Sequence, residues 1–181
     1  MKLKNLPNTI SIIRILMVPL FIALFFSGID NAKLWAAGVY IAAAVTDALD
    51  GAIARKYQLT STLGKVLDPL GDKLINAAAV LCMSISGIIP YWPIIIFLIK
   101  EVMMAVGALL LYRVRSDVFP SNKLGKVSTV VLFLVCAALM VFPAIPSHIA
   151  GAMITFAIGL TVITLFVYFT TFISLMKQSN K

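Results

Sequence analysis

The stretch DALDGAIARKYQLTSTLGKVLDPLGDKL, residues 47–74, joins two long apolar runs and carries four aspartates. Apolar runs of about 20 residues predict helices that cross a membrane. Four of the seven acidic residues of the chain therefore fall at the ends of two predicted membrane helices. Because a charged side chain close to hydrocarbon is costly, these aspartates indicate a functional site.

The composition of the whole chain is that of a membrane protein. Its mean hydropathy is +1.04, and 12% of its 181 residues are charged, against about 25% in a soluble domain. Apolar runs of spanning length occur at 10–27, 34–53, 66–88, 93–112, 127–145 and 149–174. We therefore predict an all-α integral membrane protein with six transmembrane helices, and a single domain over residues 1–181.

Basic residues are concentrated on one side of the predicted helices. They precede the first helix, flank the 2–3 and 4–5 connections and close the chain, whereas the opposite connections carry only Lys33. The positive-inside rule then places both termini, and the aspartates at the ends of helices 2 and 3, on the cytoplasmic side. The net charge of +8 thus indicates orientation and attraction to anionic lipids or phosphates, and it does not indicate nucleic-acid binding.

The aspartates lie on matched helical faces. At about 100° per residue, one face of helix 2 and one face of helix 3 collect the acidic and small residues; these are Asp47, Asp50, Gly51 and Ala54 on helix 2, and Gly64, Asp68 and Asp72 on helix 3. Four converging carboxylates repel one another unless cations neutralise them. Mg²⁺ and Mn²⁺ take such oxygen ligands, and a metal pair suits phosphoryl transfer.

Other residues of the stretch suit a diphosphate ligand. The small residues leave room for a bulky phosphate group, and Arg55 adds a positive charge at the rim. The alternative is that the aspartates are solvated helix ends and that Arg55 only enforces topology. Four aspartates on two matched faces, with glycines between them, favour the metal site.

The order of these residues resembles a known signature. Asp47-x-x-Asp50-Gly51-x-x-Ala54-Arg55, eight residues, and Gly64-x-x-x-Asp68-x-x-x-Asp72 look like the full pattern of the CDP-alcohol phosphatidyltransferases. Members of that family transfer a phosphatidyl group from a CDP-linked lipid to an alcohol and release CMP. The resemblance implies CDP-diacylglycerol as donor, two divalent metal ions (Mg²⁺ or Mn²⁺), a homodimer and a place in a bacterial cytoplasmic membrane.

The resemblance also implies roles for individual residues. It makes Asp72 the general base on the acceptor hydroxyl. The metal ligands that it implies are Asp47, Asp50, Asp68 and Asp72, and the CDP-pocket residues are Gly51, Ala54, Arg55 and Gly64.

The N-terminal segment LPNTISIIR, residues 6–14, resembles the opening of bacterial phosphatidylglycerophosphate synthases. That resemblance adds Asn8 and Ser11 to the predicted CDP pocket, with Ser11 where threonine is more usual. Arg14 stands among apolar residues one turn inside helix 1. There we expect a phosphate or aspartate partner, and hence a contact to the acceptor phosphate, or else a side chain that reaches out to the interface.

The segment LGKVST, residues 124–129, opens helix 5 and resembles the Gly-Lys-x-x-Thr segment of the same synthases and of cardiolipin synthases. Lysines beside a helix N-terminus make an anion site, so Lys126, assisted by Lys123, is predicted to bind the acceptor phosphate. A purely topogenic basic loop is the alternative. Ser128 and Thr129 can also bond back to their own helix. Arg113, near the cytoplasmic end of helix 4, is a further candidate for the acceptor phosphate.

Two charged residues interrupt the apolar helix 4. The side chains of Lys100 and Glu101 project about 100° apart, which predicts that each pairs with another residue. The synthases usually have an arginine in place of Lys100 and a second arginine where this chain has Ala108, which leaves one acceptor contact open. Lys73, next to Asp72, is predicted to form a structural ion pair.

The predicted function is transfer of the phosphatidyl group to glycerol 3-phosphate. A cardiolipin synthase, with phosphatidylglycerol as acceptor, or an enzyme for another alcohol remain alternatives. A membrane prenyltransferase also binds metal ions with aspartates but does not need the spacing of Gly51, Arg55 and Gly64. An ion-coupled transporter predicts charges at both membrane faces, whereas this acidic cluster lies at one.

Overall fold

A computed structural model describes the backbone at 6–57, 64–115 and 123–179, and side chains within 12–47, 71–107, 109–110 and 123–174. The residues in these ranges form helices, turns and loops, and no strand. The helices are α1 (Leu6–Phe25), α2 (Ala32–Tyr57), α3 (Gly64–Ile85), α4 (Trp92–Arg115), α5 (Lys123–Val141) and α6 (Ser147–Ser179). The prediction of an all-α protein with six helices is confirmed.

Several helices extend beyond the apolar runs that predicted them. α5 begins at Lys123 and α2 continues to Tyr57, because lysine, arginine and alanine favour helix as well as apolar residues do. The apolar run marks the part of a helix that suits hydrocarbon, and the polar ends extend past it. The predicted site residues at these ends thus sit on regular helix.

Short turns connect α1 to α2 and α3 to α4. Gly28 and Gly87 follow α1 and α3 with φ of +68° and +72°, a conformation that glycine adopts without a side-chain clash. At the second turn the backbone N–H of Ile88 donates to the carbonyl of Met83 over 3.0 Å. Each of these two glycines therefore permits a tight turn directly after its helix.

The packing of the helices brings α1 against the aspartate-bearing pair. Within the described ranges, α1 packs extensively along both α2 and α3, while α2 and α3 touch each other over a smaller area. α2 also packs on α5, and α6 packs on α4 and α5. At the centre Tyr40 is fully buried and stacks on Phe133 with ring centroids 4.8 Å apart. The aromatic contact therefore packs α2 against α5 in the core.

The outer surface is apolar, as in a protein surrounded by lipid. Large side chains such as Phe166, 68% exposed, and Leu16, 63% exposed, point away from the core, and a soluble monomer rarely exposes so many. Two helical segments, Lys123–Val141 and Ser147–Ser174, are long and apolar enough to cross a membrane within the described ranges, and Ile12–Phe25 is a shorter apolar segment. Six spans and their orientation stay predictions.

Candidate active site

Arg14 connects two of the predicted metal ligands. Its side chain is fully buried, and Nη2 lies 2.7 Å from Asp47 Oδ1 while Nη1 lies 3.0 Å from Asp72 Oδ1. The two carboxylates are only partly buried, with 35% and 41% of their side chains exposed. One guanidinium from α1 therefore holds together an aspartate of α2 and an aspartate of α3.

A glycine in α3 makes room for this arginine. A Cβ atom added to Gly71 would lie 3.3 Å from Arg14 Cδ, closer than side-chain carbons normally approach, and 3.7 Å from Cγ, an ordinary contact distance. Gly71 is buried, so a side chain there has little space to escape. Gly71 was not among the predicted site residues, since the signature assigns it no role.

A hydrogen-bond chain supports the backbone at Asp72. Asn76 donates from Nδ2 to the Asp72 carbonyl over 2.8 Å, and Tyr40 donates from its hydroxyl to Asn76 Oδ1 over 2.6 Å. Tyr40 and Asn76 are buried, where a satisfied hydrogen bond rigidifies its surroundings. The α2 core thus positions the α3 turn that bears Asp72.

A cleft of about 540 Å³ opens between α3, α4, α5 and α6. Asp72 lies in its wall, so the carboxylate cluster and the cleft share this residue. Lys126 from α5 lines the same cleft. The other polar and charged residues that line it are Lys73, Asn76, Lys100, Glu101, Thr129, Thr161, Thr164 and Tyr168.

A second ion cluster forms part of the cleft wall. Lys73 Nζ lies 2.8 Å from Glu101 Oε2, and Lys100 Nζ donates to Glu101 Oε1. The ion pair predicted for Lys73 is confirmed. The prediction that Lys100 and Glu101 do not pair with each other is wrong, because the flexible four-carbon arm of lysine bends round the helix to reach the adjacent carboxylate.

Hydroxyl groups near the N-terminus of α5 form hydrogen bonds within α5 and with α6. The hydroxyls of Ser128 and Thr129 each donate to the Gly125 carbonyl over 3.0 Å, as the alternative for these residues predicted. Thr164 of α6 donates to Ser128 Oγ over 3.3 Å. Lys123 and Lys126 are exposed, so this turn presents lysine side chains beside the cleft.

The donor chemistry of Asp47 and Asp72 fits a divalent cation. Carboxylate oxygens are the preferred ligands of Mg²⁺ and Mn²⁺, and these two carboxylates are partly exposed and held close by one cation. The described side chains do not form a group of three or more acidic, histidine or cysteine ligands. Asp50 and Asp68, which the resemblance adds to the site, lie outside the described side chains.

Other predicted site residues also lie outside the described side chains. They are Asn8, Ser11, Gly51, Ala54, Arg55, Gly64 and Arg113. Of the predicted residues that are described, Arg14, Asp47 and Asp72 meet at one point, and Lys126 lines the cleft that Asp72 borders. Sequence inspection did not predict that Lys73, Lys100 and Glu101 line this cleft. The charges of Lys100 and Glu101 within an apolar helix did indicate that these two residues need polar surroundings.

Comparison with known proteins gives a match over almost the whole chain. Residues 4–176 match the family model described as CDP-alcohol phosphatidyltransferase. A Mycobacterium tuberculosis protein named "Probable phosphatidylglycerophosphate synthase" is 34% identical over 168 residues, which cover 90% of this chain and 79% of that protein.

Two further relatives carry different names. A Bacillus subtilis protein named CDP-diacylglycerol–glycerol-3-phosphate 3-phosphatidyltransferase is 30% identical over 192 residues, covering 97% of this chain and 99% of that protein. A Mycobacterium bovis protein, named provisionally as a cardiolipin synthase, is 30% identical over 125 residues, covering 69% of this chain and 59% of that protein. The first two names concern the synthesis of phosphatidylglycerophosphate, and the third name concerns cardiolipin.

Proposed function

Because the chain belongs to the CDP-alcohol phosphatidyltransferase family, as its signature predicted, we propose that this enzyme transfers the phosphatidyl group of CDP-diacylglycerol to glycerol 3-phosphate. The products are phosphatidylglycerophosphate and CMP. The relatives from Mycobacterium tuberculosis and Bacillus subtilis, named for this product or this acceptor, support the choice of acceptor.

One observation carries the proposal: Asp72 belongs both to the carboxylate cluster and to the wall of the lysine-bearing cleft. A transferase has to bring a donor diphosphate and an acceptor hydroxyl to one point. The carboxylates of Asp47 and Asp72 suit the cation-bound diphosphate, and Lys126 suits the phosphate of the acceptor. Asp72 lies at the junction of the two.

The reaction needs a base at that junction. In the proposed step the acceptor hydroxyl oxygen attacks the lipid-side phosphorus, the bond from that phosphorus to the bridging oxygen breaks, and CMP leaves with that oxygen. Asp72 takes the hydroxyl proton at a carboxylate oxygen, which requires hydrogen-bond reach of the acceptor. Its partial exposure towards the cleft and the support of its backbone by Asn76 suit this role.

We assign a further set of residues to the donor. Asp47 and Asp72, with Asp50 and Asp68, are proposed to hold two divalent ions. When bound, such ions neutralise charge on the diphosphate and on the departing CMP. Gly51, Ala54, Arg55 and Gly64, together with Asn8 and Ser11, are proposed to bind the CDP group.

The acceptor is proposed to enter from the cytoplasm. Lys126 and Lys123 at the start of α5 would hold its phosphate, and Arg113 is proposed to assist. Arg14 is bound to Asp47 and Asp72, so a role for it on the acceptor phosphate would require exchange of a partner. We propose six membrane spans with both termini and this site on the cytoplasmic side, one domain over residues 1–181, and a homodimer.

An acceptor panel tests the proposed function. Purified protein in detergent receives CDP-diacylglycerol, Mg²⁺ or Mn²⁺ and one of several alcohols, and CMP release is measured. We expect release with glycerol 3-phosphate. Release with phosphatidylglycerol alone would support the cardiolipin-synthase alternative, and release with a different alcohol alone would also overturn the proposed acceptor. No release with any alcohol would contradict the proposed transfer.

A further inference from the structure

Asn76 is an unfavourable residue for its place in α3. It is 8% exposed and stands between apolar residues of the helix, where asparagine favours helix less than leucine or alanine does. Burial of an amide is also costly unless its polar atoms are hydrogen-bonded. Because a residue that disagrees with its local surroundings is typical of functional sites, Asn76 is a candidate for a role in the reaction.

The amide of Asn76 is paired on both sides, and the pairing has one direction. Nδ2 donates to the Asp72 carbonyl over 2.8 Å, and Oδ1 accepts from the Tyr40 hydroxyl over 2.6 Å. A carbonyl oxygen can only accept, so the nitrogen of the amide has to face Asp72 and its oxygen has to face Tyr40. The Tyr40 hydroxyl is therefore the donor that orients the amide.

Three helices fix the position of this hydroxyl. Tyr40 of α2 is fully buried, and its ring lies 4.8 Å from the Phe133 ring of α5 and 6.0 Å from the Phe21 ring of α1, measured between centroids. In a close-packed interior, a ring with neighbours on two sides has little room to move. Asn76 therefore connects a fixed donor in the core to the turn of α3 that bears Asp72.

Asp72 is thereby held at two atoms. Arg14 contacts its carboxylate oxygen Oδ1, and Asn76 binds its backbone carbonyl. A general base has to stay within hydrogen-bond reach of the proton that it removes. A displacement of about 1 Å by a remote substitution can lower a rate by about 10²-fold, so restraint of the Asp72 backbone bears directly on the rate.

We propose that Asn76 and Tyr40 are positioning residues that fix the α3 turn and so keep the Asp72 carboxylate in reach of the acceptor hydroxyl. The inference rests on the proposed function and adds to it two residues that lie outside the signature. A residue that acts through the base lowers kcat and leaves substrate binding unchanged. The KM for CDP-diacylglycerol and the KM for the acceptor should therefore stay the same in variants of either residue.

A matched pair of variants at position 76 tests this role. Threonine and valine have nearly the same shape, but only threonine can donate to the carbonyl four residues before it, as Thr161 and Thr164 do in this protein. Asn76→Val should lower the kcat of CMP release by about three- to tenfold, less than a displacement of a full ångström would cause. Asn76→Thr should restore part of that loss.

Tyr40→Phe tests the same role from α2, because it removes only the hydroxyl and keeps both aromatic contacts. It should lower kcat by a smaller factor than Asn76→Val, since the bond from Asn76 to Asp72 can still form. The control is Ser84→Ala, which removes a buried hydroxyl that donates to the Val80 carbonyl over 2.9 Å towards the other end of α3. It should lower the unfolding temperature and leave kcat unchanged.

Kinetics and thermal unfolding in detergent, with whichever alcohol the unaltered protein uses, separate the outcomes. Equal kcat in Asn76→Val and Asn76→Thr, or an unchanged kcat in Tyr40→Phe, would overturn the positioning role. A raised KM with unchanged kcat would also overturn it, because Asn76 would then contact a substrate. Tyr40→Phe keeps the core packed and decides the question if Asn76→Val does not fold.

The test does not depend on the identity of the acceptor. If the unaltered protein uses an alcohol other than glycerol 3-phosphate, the proposed acceptor is wrong, and the variants are compared with that alcohol. If it releases CMP and the variants behave like Ser84→Ala, the positioning role alone is wrong. No CMP release with any alcohol would overturn both the proposed function and the positioning role.

Discussion

The two ion clusters of this protein are opposite in composition. In one, the cation Arg14 contacts two carboxylates, Asp47 and Asp72; in the other, the carboxylate of Glu101 contacts two ammonium groups, Lys73 and Lys100. The neighbouring residues Asp72 and Lys73 place the clusters side by side along α3. Among the described contacts, each cluster keeps one charge in excess.

The difference gives one short segment of α3 two adjacent ion clusters of opposite net charge. An excess of carboxylate suits divalent cations and, through them, a diphosphate. An excess of ammonium suits a phosphate directly. The first cluster is partly exposed and the second is more deeply buried at Lys100. The first cluster therefore suits the cation-bound donor of the proposed reaction, and the second forms part of the wall of the cleft that Lys126 also lines.

Substitution of Asp72 should give the largest loss of activity, since this residue belongs to the first cluster and directly precedes Lys73 of the second. Asp72→Asn keeps the size and an oxygen for Arg14 but removes the base. We expect CMP release to fall by about 10²- to 10⁴-fold. The control is Asp30→Asn, in the exposed turn between α1 and α2. Activity of Asp72→Asn within a few-fold of the control would show that the proton goes elsewhere.

Substitution of Arg14 tests the first cluster alone. Arg14→Gln removes the cation that holds Asp47 near Asp72, and in metal-free buffer we expect a loss of about 1–3 kcal/mol in the free energy of unfolding, as for a charged hydrogen bond. Added Mg²⁺ or Mn²⁺ should reduce the difference in the free energy of unfolding between Arg14→Gln and the unaltered protein, because a cation that binds the carboxylates stabilises the folded state. Thermal unfolding in detergent, with chelator or metal, measures both quantities. An equal metal effect in the two proteins would argue against a cation site at these carboxylates.

A pair of glycine substitutions gives the smallest and most local test. Gly38→Ala meets no atom within 4 Å of the added Cβ, so it should stabilise α2 by about 0.5–1 kcal/mol. In Gly71→Ala the added Cβ meets Arg14 Cδ at 3.3 Å, so this variant should not show the stabilisation expected for Gly38→Ala. Displacement of the guanidinium should also reduce turnover about two- to fivefold. Unfolding temperature and CMP release measure the two effects. Equal behaviour of the two variants would mean that Arg14 adjusts without cost.

The helical architecture was predictable because hydrophobic runs of spanning length admit few other structures. The ends of the helices were less predictable, since Lys123 and the residues up to Tyr57 continue a helix without being apolar. The pairing of Lys100 with Glu101 was predicted wrongly from helical projection, because projection gives the direction of Cβ and not the reach of a long side chain.

By itself, the sequence determined the family, because fixed spacings along one helix translate directly into residues on one face. Only the tertiary structure decided which helix supplies the counter-charge: α1 brings Arg14 between Asp47 and Asp72, 33 and 58 positions away in the chain. It also decided that Lys73, Lys100 and Lys126, from three helices, line one cleft with Asp72. Such contacts depend on how helices pack against one another, and the periodicity of one helix does not record the rotation of its neighbours.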